Sequence, residues 1–390
     1  MKREKLRWVC THLLLPLLLA ALGPFPHQSL AEKPGKPLVI YLEPFGIPRS
    51  LFGRGGPFLC LHQHTVGTRL FWLDATHLFV AFTINTPCTF HTTSETPTLR
   101  GLVFDTTTGV KIASRDWPVT ETLNIFPGPG RTVVLRDGGK LIFMNDHLRT
   151  IDSGELDSVP KGIWSTPDHR TIPLLTADGR TYEFYGANPL RLLDTISLDS
   201  TDEVRAIPEW IAGDERIAGS RCTDKSIYTC TKIVVQSPDS KFLDPDGAPW
   251  SYQEGEGLAA QKPVSLQPVG FLDSTHLIIS REDKNFFHNP QMFIVTPHGS
   301  RIQLPSLGTH YPRRIAGLAG QKFGMEMYDL GACTDCIIAN FFVVAEPDAR
   351  KFLFEKRATP YMSAGELSPD GKWMVILDNN NVTFYPIPGE

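Results

Sequence analysis

Segments with apolar residues at helical spacing are almost missing from this chain of 390 residues, which leaves an all-β reading of its short apolar runs. After about residue 22 no run is apolar for long enough to cross a bilayer, so the rest of the chain carries no membrane-spanning helix. A concentrated basic face is missing as well. Lys and Arg number 38 against 42 Asp and Glu, for a formal charge of -4, which excludes a dedicated polyanion binder. No Gly-x-Ser-x-Gly elbow occurs, and the chain has no room for the α/β domain such a nucleophile requires. Cysteine is sparse, with 7 in the sequence.

What the chain does have begins at its start. Lys2, Arg3, Lys5 and Arg7 precede an apolar run from Trp8 to Leu22, the order of charge and hydrophobicity in a secretory signal. Gly23, Pro24 and Pro26 then stop a helix, and Ser29-Leu30-Ala31 places small residues where a signal peptidase inspects them. Residues 1–31 are therefore expected to be a removable signal peptide, with Glu32 the first mature residue and the protein periplasmic or secreted. The mature net charge is then about -7.

Removal of that segment takes away Cys10 and leaves Cys60, Cys88, Cys222, Cys230, Cys333 and Cys336, an even number in an oxidising compartment. Locality pairs Cys222 with Cys230 across a hairpin and Cys333 with Cys336 in a tight loop, which leaves Cys60 with Cys88. Cys333-Thr334-Asp335-Cys336 also reads as half of a metal site or a redox pair. No further Cys or His ligands follow at close spacing, however, and no βαβ context surrounds it, so a structural disulfide is the expectation.

Runs rich in Val, Ile, Phe, Thr and Leu recur between Gly, Pro, Asp and Asn clusters, and they group in fours. Four antiparallel strands make one propeller blade. The fold expected is a seven-bladed β-propeller of four-stranded antiparallel blades, spanning 32–390 as a single domain. The blades fall near 67–118, 119–158, 159–200, 201–257, 262–308, 309–357 and 358–390. The last group has only three strands, and the run within 36–44 is expected to pair with it and close the ring, which removes an exposed sheet edge.

Leu367-Ser368-Pro369-Asp370-Gly371-Lys372-Trp373 resembles the Ser-Pro-Asp-Gly turn of WD40-like and TolB-like (PD40-type) propeller repeats of exported bacterial proteins. Pro sets φ for that turn, Asp bonds the backbone ahead of it, and Gly takes the left-handed position. Thr166-Pro167-Asp168-His169 is a degenerate copy. Leu73-Asp74-Ala75-Thr76-His77-Leu78 and Leu272-Asp273-Ser274-Thr275-His276-Leu277 are related copies of one another. Turn sites recur at an average of about 49 residues, the scale of propeller repeats. The Gly-His and Trp-Asp pairs of WD40 repeats are absent, as is the α/β domain of TolB.

Candidate chemistry is thin. Cys60-Leu61-His62-Gln63-His64 sets two imidazoles on one face of a strand, and His91 would make three, but such spacings are common by chance. His77 and His276 occupy equivalent repeat positions and read as structural. The long loop from Asp244 to Lys262, with Trp250 and Tyr252, is the expected contact surface. The loops that carry Cys88, Cys222 to Cys230 and Cys333 to Cys336 all follow second strands and so share one rim. The expectation is a monomeric binding module for a protein or an extracellular polymer, with no cofactor or metal and no nucleic-acid partner. The alternative is a hydrolase or lyase at the channel mouth, built from first-strand residues such as Arg205, Arg313 and Arg314.

Overall fold

The computed structural model describes residues 37–47, 68–84, 98–164, 169, 171–186, 189–197, 204–205, 217–222, 230–236, 251–253, 264–273, 275–283, 290–296, 300–306, 308, 310–330, 337–348, 351–359 and 363–388. The expected signal peptide, Cys60, Cys88, Cys333, Cys336, His62, His64, His91 and Trp250 lie outside these residues.

The chain enters through β1 (Leu38–Tyr41) and a short 3-10 turn at Glu43–Phe45. The first blade holds β2 (Arg69–Trp72), β3 (His77–Ile84), β4 (Thr98–Asp105) and β5 (Val110–Pro118). The second holds β6 (Asn124–Gly128), β7 (Thr132–Asp137), β8 (Lys140–Met144) and β9 (Thr150–Glu155). The third holds β10 (Gly162–Ile163), β11 (Ile172–Leu175), β12 (Thr181–Gly186) and β13 (Arg191–Ser197). The fourth holds β14 (Val204–Arg205), β15 (Ile217–Cys222), β16 (Cys230–Gln236) and β17 (Ser251–Gln253). The fifth holds β18 (Val264–Phe271), β19 (Leu277–Asp283), β20 (Gln291–Val295) and β21 (Arg301–Gln303). The sixth holds β22 (His310–Ala319), β23 (Lys322–Leu330), β24 (Ile337–Ala345) and β25 (Phe354–Ala358). Last come β26 (Ser363–Leu367), β27 (Trp373–Asp378) and β28 (Asn381–Pro386).

Every strand pairing is antiparallel between neighbours, and six sheets are each made of four consecutive strands. The remaining sheet is composite, in the order β1-β28-β27-β26, with Leu38 opposite Phe384 and Tyr41 opposite Asn381. This corrects the expectation of seven like blades closed by an N-terminal strand. The structure has six blades of consecutive strands, and the inner seam of the ring is closed by β26, which packs against β22 on one side and β2 on the other. The physical reason is position. β1 is the outermost strand of its sheet and leaves Tyr41 62% exposed, so it trims an edge rather than filling the seam.

Burial follows from each sheet being covered by a neighbour on both faces. The central strand β3 buries residues of both parities, whereas the outermost strands β9 and β21 are largely exposed. Between the first and second blades Phe79, Val103, Ile125 and Val133 share one cluster. Leu70, Leu78, Val375 and Leu377 fill the seam between the first blade and the composite sheet. Fully burying such a side chain stabilises by about 1.5–3 kcal/mol, and the seams therefore hold the blades to one another.

The tight turns are self-satisfied. In the Ser-Pro-Asp-Gly turn, Ser368 Oγ donates to Asp370 Oδ1 at 2.6 Å, the amide of Trp373 donates to Ser368 Oγ at 3.0 Å, and Gly371 holds φ 68°. The turn at Asp105 is an ordinary hairpin, its carboxylate accepting from the Thr107 amide at 2.8 Å.

Candidate functional site

The innermost strands bring together charged residues from distant parts of the sequence. Arg313 and Arg314 are consecutive on β22, and in a regular strand they would point to opposite faces. A β-bulge between Pro312 and Arg314 breaks the register there, with Arg314 opposite Glu326 of β23. The extra residue re-aims its side chain, and both guanidiniums reach one carboxylate. Arg313 Nη1 donates to Glu326 Oε1 at 3.0 Å, and Arg314 Nε donates to Glu326 Oε2 at 2.8 Å. The Glu326 side chain is 5% exposed, against 51% for that of Arg313. The pair therefore runs from the protein interior to an accessible surface.

Arg314 also crosses to the next inner strand. It donates to Glu366 Oε2 on β26 at 3.4 Å and to the Gly365 carbonyl at 3.1 Å. Burial pushes the Glu366 carboxyl up to about 7, and the nearby Arg314 only partly opposes this. For Arg314 itself burial acts to lower the pKa, but Glu326 and Glu366 outweigh it and hold the guanidinium above its ordinary value.

Arg69, the first residue of β2, completes the group from the far side of β26. Burial, and then the fields of Arg314 and Arg313, pull its pKa down to about 10, with Glu326 opposing. That β22 acts on β2 although β26 separates them means that these side chains converge on the axis of the ring. Among the described residues the Arg69 guanidinium donates only to the Thr68 carbonyl and to Asn124 Oδ1 of β6, both at 3.3 Å. Its five N–H donors are thus mostly unused.

The cluster sets three guanidiniums against two carboxylates, one of them with its pKa near 7. It presents a partly accessible excess of positive charge with planar donors, the geometry that grips a carboxylate or similar oxyanion. Among the described residues no group of three or more His, Cys, Asp or Glu is placed to hold a metal ion.

The other sequence candidates fall elsewhere. Tyr252 lies on β17, opposite Ile233, and this corrects its assignment to a loop. β17 is the outermost strand of its sheet, so Tyr252 stands at the periphery, apart from the inner strands that carry the axial cluster. Arg205 is on β14, opposite Ser220. The register of β15 and β16 sets Cys222 opposite Cys230, next to a bulge. His77 is structural: its Nδ1 lies 2.7 Å from Asp74 Oδ2, and its amide donates to Asp74 Oδ1 at 2.8 Å. His276 repeats this arrangement on Asp273. Sequence reasoning missed Arg69, Glu326 and Glu366. Alignment of the first strands would have flagged Arg69 and Glu366, but nothing local marks Glu326.

No family profile matches the chain, and no curated protein matches it by sequence. Solved structures do match. Hydrazine synthase of Kuenenia stuttgartiensis is 14% identical with a TM-score of 0.49, over 83% of this chain and 96% of that one. The Cps50 (Swd1) β-propeller domain of Myceliophteria thermophila is 10% identical with a TM-score of 0.47, over 83% of this chain and 98% of that one. The WD40 domain of Toxoplasma gondii coronin is 9% identical with a TM-score of 0.45, over 81% of this chain and 80% of that one. At these identities the likeness is one of fold alone.

Proposed function

We propose that this chain is an exported binding propeller that grips an anionic group of a protein or an extracellular polymer at the axis of its ring. The observation that carries the reading is Arg69, a guanidinium enclosed among the inner strands whose fork is mostly unused, beside Arg313 and Arg314. A partner carboxylate supplies the acceptors that the protein does not. The charged start of the chain and its following apolar run support export. The opposed backbones of Cys222 and Cys230 suit a disulfide that stiffens the β15–β16 connection.

Native mass spectrometry of the mature protein, gently isolated from its own exported fraction, tests this. A co-purifying macromolecule that is lost in Arg69→Met and kept in the surface variant Lys140→Met is expected. A bare monomer carrying a stoichiometric metal or small molecule, or a partner indifferent to Arg69→Met, overturns the reading.

Glu366 favours a second reading, a hydrolase or lyase acting at the same place. A carboxyl held near pH 7 beside guanidiniums is matched to proton donation at neutral pH. That reading requires turnover that falls as pH rises through about 7 and vanishes in Glu366→Gln while binding persists.

A further inference from the structure

A concave feature lies at the end of β2, where the inner strands turn back into their neighbours. A cavity of about 340 Å³ opens there, lined among others by Trp72 and Leu73 after β2, Pro127, Pro129 and Arg131 of the β6–β7 hairpin, and His169. Its volume is in the range of small-molecule sites. Trp72 lies three steps along β2 from Arg69, about 10 Å at 3.3 Å per residue, so the cavity is distinct from the axial cluster.

Two of its lining residues stand in a backbone conformation that their side chains disfavour. Among the described residues only Arg131, Leu148, His169 and Asn379 are non-glycine residues with positive φ. Two of these four, Arg131 at φ 67° and His169 at φ 55°, face this one cavity. Sibling turns solve the same problem with glycine, at Gly320 with φ 61° and at Gly371 with φ 68°. In sequence His169 occupies the position of Gly371 in its own copy of the motif. A non-glycine residue in this region is strained, and such strain collects at ligand-binding positions.

The two residues are also the cavity's basic side chains. Arg131 is 73% exposed and only 3.5 Å from Asp74 Oδ2, a carboxylate already engaged by Thr76 and His77. Much of the remaining lining is apolar, with Trp72, Leu73, Pro127 and Pro129. The indole N–H of Trp72 has no acceptor among the described residues.

We propose that this cavity binds a small carboxylic acid with an apolar body, its carboxylate held by Arg131 and His169 and its body against Trp72 and the prolines. The ligand class follows from the composition of the lining, in which two basic side chains accompany Trp72, Leu73 and two prolines. The site is independent of the axial cluster, so either can fail without the other.

The test uses the full mature chain, with benzoate and its uncharged counterpart benzyl alcohol as probes, followed by ligand-observed NMR titration. Wild type is expected to bind benzoate saturably and about tenfold more tightly than benzyl alcohol, as one charge-assisted contact provides. Arg131→Gly and His169→Gly each relieve left-handed strain, so the thermal midpoint is expected to hold or rise while that selectivity disappears. Arg69→Met is expected to leave benzoate binding unchanged. No saturable binding of benzoate, equal affinity for the alcohol, or binding that survives both glycine variants overturns the proposal. So does loss of benzoate binding in Arg69→Met alone, which would assign the anion to the ring axis.

Discussion

The axial cluster and the turn at Asp74 both take carboxylates out of water, but they satisfy them over different distances. Asp74 is satisfied within four residues. Its oxygens accept from the Thr76 amide at 2.7 Å, the Thr76 hydroxyl at 2.9 Å and the His77 amide at 2.8 Å. Burial works to raise its pKa, but these bonds and the His77 ring outweigh it and hold the carboxyl down at about 2. Glu326 and Glu366 instead depend on guanidiniums from other strands, brought to them by a bulge and by the packing of β26. A carboxylate satisfied locally is secure as soon as its turn forms, whereas one satisfied across the ring is secure only when the ring is assembled.

The largest effect expected from breaking this contrast is at Glu326. Glu326→Ala leaves Arg313 and Arg314 without their shared carboxylate, and loss of one partner of a buried pair costs about 3–5 kcal/mol. Urea unfolding of the variant against wild type measures it. A loss no larger than that of a surface charge variant would mean that water already serves those guanidiniums.

Next comes the pH dependence of Glu366. Its folded pKa, about 7, lies above the ordinary value of 4.5, so the folded state holds a proton that the unfolded state gives up. Stability from this group is present below about pH 4.5 and is lost as pH rises through about 7. The thermal midpoint of wild type is expected to fall across that window, and that of Glu366→Gln to lack this component. Asp74 carries the opposite sign. Its folded pKa, about 2, lies below the ordinary 3.8, so its contribution is present above about pH 4 and is lost as pH falls through about 2.

The two Asp–Thr–His turns sharpen the comparison at its local end. Both make the same bonds, yet the Asp74 side chain is 11% exposed and that of Asp273 is 55% exposed. Asp74→Ala strands donors in a drier place and is expected to cost about 1–2 kcal/mol, whereas Asp273→Ala is expected to cost roughly half as much because water replaces the lost acceptor. Thermal unfolding of the two variants side by side decides this. Equal losses would show that the turn geometry alone sets the cost.

Smallest of the expected effects is that of Arg100→Ala. This guanidinium meets Asp116 on the neighbouring strand through two bonds, at 2.7 and 2.6 Å, with Asp116 40% exposed. An exposed pair contributes about 0–1 kcal/mol, so the variant is expected to be nearly neutral in the same unfolding assay. Any larger loss would point to the bond from Arg100 to the Phe45 carbonyl, which ties the 3-10 turn to the first blade.

What the sequence showed and what it hid divides along the same line. The strands were legible because alternation, β-branched runs and Gly, Pro and Asp turns are local properties. The kinship of Leu73–His77 and Leu272–His276 was legible because the same few residues make the same bonds. The assembly of the last sheet was read too simply, since turn sites count hairpins and do not say which strand fills a seam. The axial cluster stayed hidden because the bulge at Arg313 and the crossing from Arg69 to the β22 pair have no local signature. The strand at Tyr252 stayed hidden because three residues inside a long polar stretch leave too short a pattern to read.

The pairing of β1 with β28 has a bearing on how this chain is made. Leu38 meets Phe384, and the Asn380 amide side chain meets Glu43 across 337 positions. For a polypeptide synthesised from its N-terminus, β1 has no native partner until nearly the whole chain exists, and β28 keeps a raw edge until β1 arrives. Completion of the composite sheet is therefore among the latest and slowest events of folding.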